Sequence, residues 1–387
     1  MTIIDRGTVF SGEKDTDHQS CAFPGICVLP SGRWISSCRA APTKGDSTGQ
    51  HVLITWSDDE GRSWHAPIAP FTPPSVDGKP GLFRGVSLTA LGGQLGLFRR
   101  GSLTALGGAH VLACLCWVDH SDPSLPYFNE DTEGLLDTRI FLAISENGGA
   151  TWSNPEMMDT SPFHITPTTG PVLLLPNGDW ACQFELNKPY YDTSVWRHSS
   201  VLMFSRDGGK SWSEHVITGN DPENRIFYWD QRPGVLADGA LLDLFWTYDN
   251  QLASYLNIHA RRSLDSGRTW SAIWDIGVPG QPAPPVSLPD GRIAMVYVDR
   301  TGVPVIKLRV SEDGGKTWPD ETEIVLYGEE GNSQTWRKGS MQDAWAEMGA
   351  FSIGLPTTAL LGNGDLLVVY YAGPETDLTD IRWVRVR

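Results

Sequence analysis

The chain has 387 residues, 40% of them apolar and 20% charged, a composition that supports a large core and argues against disorder. Acidic residues outnumber basic ones by 46 to 30, for a formal charge of −16, which disfavours a nucleic-acid backbone or an anionic membrane as partner. No run approaches the roughly 20 apolar residues of a membrane span.

The N-terminal stretch Thr2–Phe10 (TIIDRGTVF) reads as a strand. No basic segment followed by an apolar core precedes it, so it does not read as a secretory leader, and a cytoplasmic location is expected. Six cysteines, Cys21, Cys27, Cys38, Cys114, Cys116 and Cys182, sit mostly in apolar strand-like runs of the first half. None has zinc-ligand spacing, and buried reduced thiols are expected. No metal or cofactor is expected.

Apolar runs then meet at short turns with glycine. These are LPSG at Leu29–Gly32, a degenerate LGG at Leu106–Gly108, LPNG at Leu175–Gly178, LADG at Leu236–Gly239, LPDG at Leu288–Gly291 and LGNG at Leu361–Gly364. Interleaved with them is an octapeptide, Ser-x-Asp-x-Gly-x-Ser/Thr-Trp. It occurs at Ser57–Trp64, Ser145–Trp152, Ser205–Trp212, Ser263–Trp270 and Ser311–Trp318, with Asn147 replacing the aspartate once. Asp or Asn bonds the backbone ahead of it, glycine permits positive φ, and tryptophan plugs the space between strands. The octapeptide is structural and contributes no chemistry.

Six hairpin units with five octapeptides predict an all-β fold, a six-bladed β-propeller. The last unit ends on Thr379–Arg387 without a fourth strand, so Thr2–Phe10 is expected to close the ring. Residues 1–387 then form one domain. The segment 81–94 is nearly repeated at 96–109. It reads as an inserted hairpin whose Arg84, Arg99 and Arg100 border the mouth if they act at all. The link Tyr327–Glu347, with Trp336, Arg337, Gln342 and Trp345, is long enough to overhang the mouth.

Five such boxes on six blades resemble the sialidase superfamily, over the whole chain. The resemblance implies a carbohydrate ligand, an arginine triad, an aspartate acid/base and a tyrosine nucleophile with a glutamate partner. Residue by residue, the match is partial. The first family arginine falls on Ala22, the second on Trp246 and the third on Val303, while the nucleophile falls on Leu355. Arg39 matches an arginine after the second strand of blade one. Asp46 matches the acid/base, Asp230 the blade-four glutamate, and Tyr371 the position of a further glutamate. A carboxylate clamp needs fixed guanidinium groups, so a sugar other than sialic acid is expected.

Independently of the family, the residues that follow each second strand line the mouth of a propeller. They are Arg39 and Asp46; Trp117, Asp119 and His120; Gln183 and Glu185; Trp246, Tyr248 and Asp249; Tyr297, Asp299 and Arg300; Tyr370 and Tyr371. The starts of inner strands add Asp230, Gln231, Arg232 and Gln281. Glycoside hydrolysis needs two carboxyls across the scissile bond. The expected catalytic groups are Asp46, Asp230 and Glu185. The expected binding groups are Arg39, Asp119, Arg232, Trp246, Tyr248, Asp249, Gln281, Arg300 and Tyr371. A structural ion pair or turn cap is the competing role for each aspartate. The competing functions are a non-catalytic glycan- or protein-binding propeller, and a lyase for an acidic sugar held by Arg39, Arg232 and Arg300.

Overall fold

A computed structural model describes residues 1–45, 48–92, 108–328 and 340–387. Asp46, Arg99, Arg100, Trp336 and Arg337 lie outside the described residues. Among the described residues the chain is almost entirely β, with one α-helix, Met341–Ala350, and one 3-10 turn, Asp320–Thr322.

The strands form sheets that follow one another along the chain in a propeller arrangement. A four-stranded sheet holds Gly81–Ala90, Val111–Asp119, Thr138–Ser145 and Glu156–Met157. The next holds Leu173–Leu174, Trp180–Leu186, Ser199–Ser205 and Glu214–Asn220. Two five-stranded sheets follow, one built on Ile226–Val235 and Leu241–Asp249, the other on Ile293–Asp299 and Val305–Ser311. A seven-stranded sheet joins the chain's two ends. Its halves are Ile353–Leu360, Leu366–Glu375 and Leu378–Val386 on one side, and Ser20–Val28, Trp34–Ala41 and His51–Ser57 on the other. Among the described residues one parallel pair, Ser20 with Thr379, bridges the halves. The strand Ile3–Phe10 lies antiparallel along Leu378–Val386, from Ile3–Val386 to Phe10–Ile381.

The short turns show why these segments become hairpins. At Gly32, Gly178, Gly239, Gly291 and Gly364 the backbone takes φ between 82° and 93°. Each of those glycine N–H groups donates to the carbonyl of the leucine three residues earlier, at 2.8–3.0 Å. The octapeptides are equally uniform. In the first, Gly61 N donates to Ser57 Oγ at 2.8 Å and Ser63 N to Asp59 Oδ1 at 2.9 Å. Asn147 accepts from Thr151 N at 2.9 Å in the second. Side-chain and backbone hydrogen bonds from Ser63 hold the Asp59 carboxyl down at about 2, and those from Ser211 do the same for Asp207. A carboxylate so fixed as an anion acceptor is a turn brace.

Apolar faces of successive sheets pack against each other. Ile35, Ile54, Val86 and Leu115 share one core between the first and second units. Cys114, Val172, Cys182 and Met203 share the next. All six cysteines are buried and free. Met341 and Ala344 of the helix enter a cluster with Trp229, Trp246 and Tyr248. The helix therefore lies across one end of the ring, where the second strands terminate. No helix among the described residues is long and apolar enough to cross a membrane.

Candidate active site at the propeller mouth

At this end four inner strands break register. The shifts fall between Ala22 and Gly25, Phe83 and Gly85, Trp229 and Arg232, and Gly354 and Thr357. Phe23, Asp230 and Leu355 take positive φ there, at 54°, 49° and 41°. A bulge re-aims a side chain, and a left-handed non-glycine residue is costly enough to mark a site.

Asp230 sits at the centre of the polar arrangement. Its Oδ2 accepts from Gln281 Nε2. Its Oδ1 lies 3.2 Å from Arg232 Nη2, and 27% of its side chain stays exposed. Its backbone N donates to Glu185 Oε1 at 2.5 Å. Gln281 Oε1 in turn accepts from Arg300 Nη1 at 2.7 Å, and Arg300 Nη2 donates to Ile353 O at 3.1 Å. Arg300 also stacks over Phe351, 3.9 Å from the ring centroid. Glu185, Asp230, Arg232, Gln281 and Arg300, expected from the sequence, thus meet in one network spanning several sheets.

The network continues through a residue that the sequence reading missed. Lys44 is buried. Its Nζ donates to Met348 O at 3.0 Å, Phe351 O at 2.5 Å and Tyr371 Oη at 3.2 Å. Burial, with Arg300, Arg39 and Arg84 adding like charge, pulls the Lys44 ammonium down to about 7. Burial pushes the Tyr371 hydroxyl up to about 12. Arg39 is fully buried, donating Nε to Gln50 Oε1 at 2.5 Å and Nη2 to Thr43 O at 3.3 Å. It therefore braces the loop bearing Lys44.

Other expected residues take different places. Trp246 stacks on Tyr255 at 4.6 Å and Tyr248 on Trp229 at 4.6 Å, and both are buried under the helix. They build the wall behind the site and offer no free face to a sugar, because flat rings gain more by stacking on one another in the core. Asp249 pairs with Arg225 at 2.7 Å, and its Oδ1 accepts from Gln251 N and Leu252 N at 2.9 Å each. Asp119 pairs with Lys79 at 3.0 Å and accepts from Ser121 N at 2.9 Å. Each is a brace at its strand end, outside the Asp230 network. Asp46 lies outside the described residues.

The helix was also unforeseen. Ser340 caps it, accepting from Asp343 N at 3.2 Å. Trp345 stacks on Phe128 at 4.4 Å and 8°. A serine followed three residues later by an acid was the available signal.

The mouth thus presents the carboxylate of Asp230, the more exposed of the Asp230–Glu185 pair, with cationic groups and a buried tyrosine beside it and an aromatic wall behind. Solved structures share this fold. A protein of unknown function from Dyadobacter fermentans superposes with a TM-score of 0.71 at 18% identity, covering 100% of this chain and 99% of its own. An α-L-arabinanase of Penicillium chrysogenum in complex with arabinobiose gives 0.63 at 17%, with 100% and 98% covered. The NanB sialidase of Streptococcus pneumoniae gives 0.63 at 12%, with 98% and 70% covered. No curated protein sequence matches the chain. Residues 125–332, more than half of the sequence, match the model of the BNR repeat-like domain, and the chain belongs to that family.

Proposed function

We propose that this chain is a six-bladed propeller enzyme that hydrolyses glycosidic bonds of a sugar other than sialic acid, with Asp230 as a working carboxyl. The blade count takes the seven-stranded sheet as two blades, since among the described residues one bridge pair joins its halves. The observation that carries the functional reading is Asp230. A left-handed bulge turns its carboxylate into the mouth, and Gln281 and Arg232 orient it while leaving it partly exposed. Catalytic groups need such fixed geometry before substrate arrives. Asp46 is the proposed second carboxyl. The residues that flank it, Lys44 and Gln50, belong to the same mouth. Solved relatives of this fold include a sialidase and an arabinanase, which supports a carbohydrate as partner. Ala22, Trp246 and Val303 stand where a sialic-acid clamp would place arginines, and Trp246 is buried in stacking.

A second reading, an acidic sugar, is favoured by Arg300, Arg39 and Arg84 lying close enough to Lys44 to help burial depress its ammonium. One panel decides among these: aryl glycosides of neutral sugars, uronosides, sialosides and natural oligosaccharides, read by product formation. Release from a neutral glycoside with none from a sialoside is expected, and Asp230→Asn should then lose about 10²–10⁴-fold in rate without loss of fold. An Asp230→Asn protein with full turnover overturns the assignment. Binding without any product points to a glycan-binding propeller.

A further inference from the structure

We propose that Glu185 is a positioning residue: its carboxylate straps the left-handed backbone of Asp230 in place and does not meet the substrate. This rests on Asp230 being the working carboxyl. Glu185 ends the strand Trp180–Leu186, and Asp230 lies in the strand Ile226–Val235 of the next sheet. The N–H of Asp230 points at Glu185 Oε1, 2.5 Å away. Where a bulge breaks the ladder, that N–H has no strand partner, and a charged acceptor gives it a strong one. The second oxygen, Oε2, faces His198 Nε2 at 3.5 Å, and the His198 side chain is fully buried. His198 is itself boxed in by Phe227, stacked at 5.5 Å, and Trp196 at 5.8 Å. Both oxygens of Glu185 are thus turned onto protein groups and its side chain is 13% exposed, whereas the Asp230 side chain, although held by Gln281 and Arg232, stays 27% exposed.

The strap explains how a residue with a Cβ holds φ of 49°. Such a backbone persists only when its surroundings over-determine it. Two arms from neighbouring sheets do so here: Glu185 on the N–H, and Gln281 on the carboxylate. The sequence offers Glu185 and Asp230 as alternative catalytic partners of Asp46. The geometry of Glu185 assigns it to the support of Asp230.

The test needs no substrate. Melting temperatures are measured for Glu185→Ala in two backgrounds, Asp230→Ala and Asp230→Gly. Both backgrounds lack the carboxylate, but only alanine keeps the Cβ that strains a left-handed residue. Glu185→Ala should lower the melting temperature by a few degrees more in the Asp230→Ala background than in the Asp230→Gly background. Equal drops overturn the strap. The second arm uses the substrate found by the panel. Glu185→Gln, whose amide oxygen still accepts the N–H, should keep kcat within about fivefold, against the 10²–10⁴-fold loss typical of a missing acid/base group. A Glu185→Gln protein as impaired as Asp230→Asn makes Glu185 catalytic and overturns the proposal. If the panel yields no product, the enzymatic reading fails, while the melting cycle still decides the strap.

Discussion

Asp243 is buried in the strand Leu241–Asp249 and makes no ion pair among the described residues. Burial pushes its carboxyl well above the usual carboxylate range, offset only in part by Arg261 and Arg232. The folded state therefore holds this proton at pH values where the unfolded chain has released it. Stability from this group is complete below the unfolded value near 3.9 and falls as pH rises above it. Asp243→Asn removes that dependence. Thermal melts should show the variant gaining on the wild type as pH rises above about 4, and a constant difference would refute the argument. In the sequence Asp243 stands between two leucines, whereas Asp230 is followed by Gln231 and Arg232 and matches a family position. Register completes the separation. Asp243 points between sheets, whereas the bulge after Trp229 turns Asp230 to the mouth. For the same reason Glu185 and Asp230 were legible as candidates but their division of labour was not. Lys44 was overlooked because a hydrolase reading looks for carboxyls and arginines, and its ties to Met348 and Phe351 cross some 300 residues of chain.

At the scale of elements, the helix Met341–Ala350 depends on that lysine. The last carbonyls of a helix have no internal partner. Met348 O and Phe351 O find theirs in Lys44 Nζ, a cation where the helix dipole favours one. The lysine is nonetheless held down at about 7 by burial and by Arg300, Arg39 and Arg84. Between about pH 7 and pH 10 the folded state therefore binds fewer protons here than the unfolded chain, so this group makes stability rise with pH across that window. Lys44→Met should flatten that rise and speed amide exchange in the helix. Exchange and pH slope both unchanged would show that the helix stands without it. The five Leu-x-x-Gly turns among the described residues were legible, because they and the octapeptides encode their own hydrogen bonds over eight residues or fewer; Leu106 and Gly107 of the sixth lie outside the described residues. This helix was not legible, because a ten-residue segment with one cap is too short to declare itself and is fixed by aromatic packing from Phe128 and Trp246.

For the whole molecule, the strand Ile3–Phe10 is the point where the chain's ends meet. Its ladder with Leu378–Val386 continues to the last residues: Thr2 N donates to Arg387 O at 2.6 Å, and Arg387 N to Thr2 O at 2.9 Å. Its arrival was legible from a count, six turns against five octapeptides, which left one strand without a partner. Two features make the pairing more than an edge contact. Val9 is buried, a contribution on the order of 2 kcal/mol. Gly7 lies so close to Trp383 that an added Cβ would come within 2.7 Å of the indole. Trp383 packs edge-on against Trp34 at 5.3 Å, from the other half of the same sheet. Removing residues 1–10 should uncover Trp383 and leave an unpaired edge, loosening both halves together. A melting temperature lower by many degrees is expected, together with a red-shifted tryptophan emission. Gly7→Val keeps the strand but drives a side chain into the indole, and should fall between the deletion and the wild type. A truncated protein with the wild-type transition would mean that the ring is closed by the Ser20–Thr379 bridge and its flanking packing, and that Ile3–Phe10 merely lies along the outside.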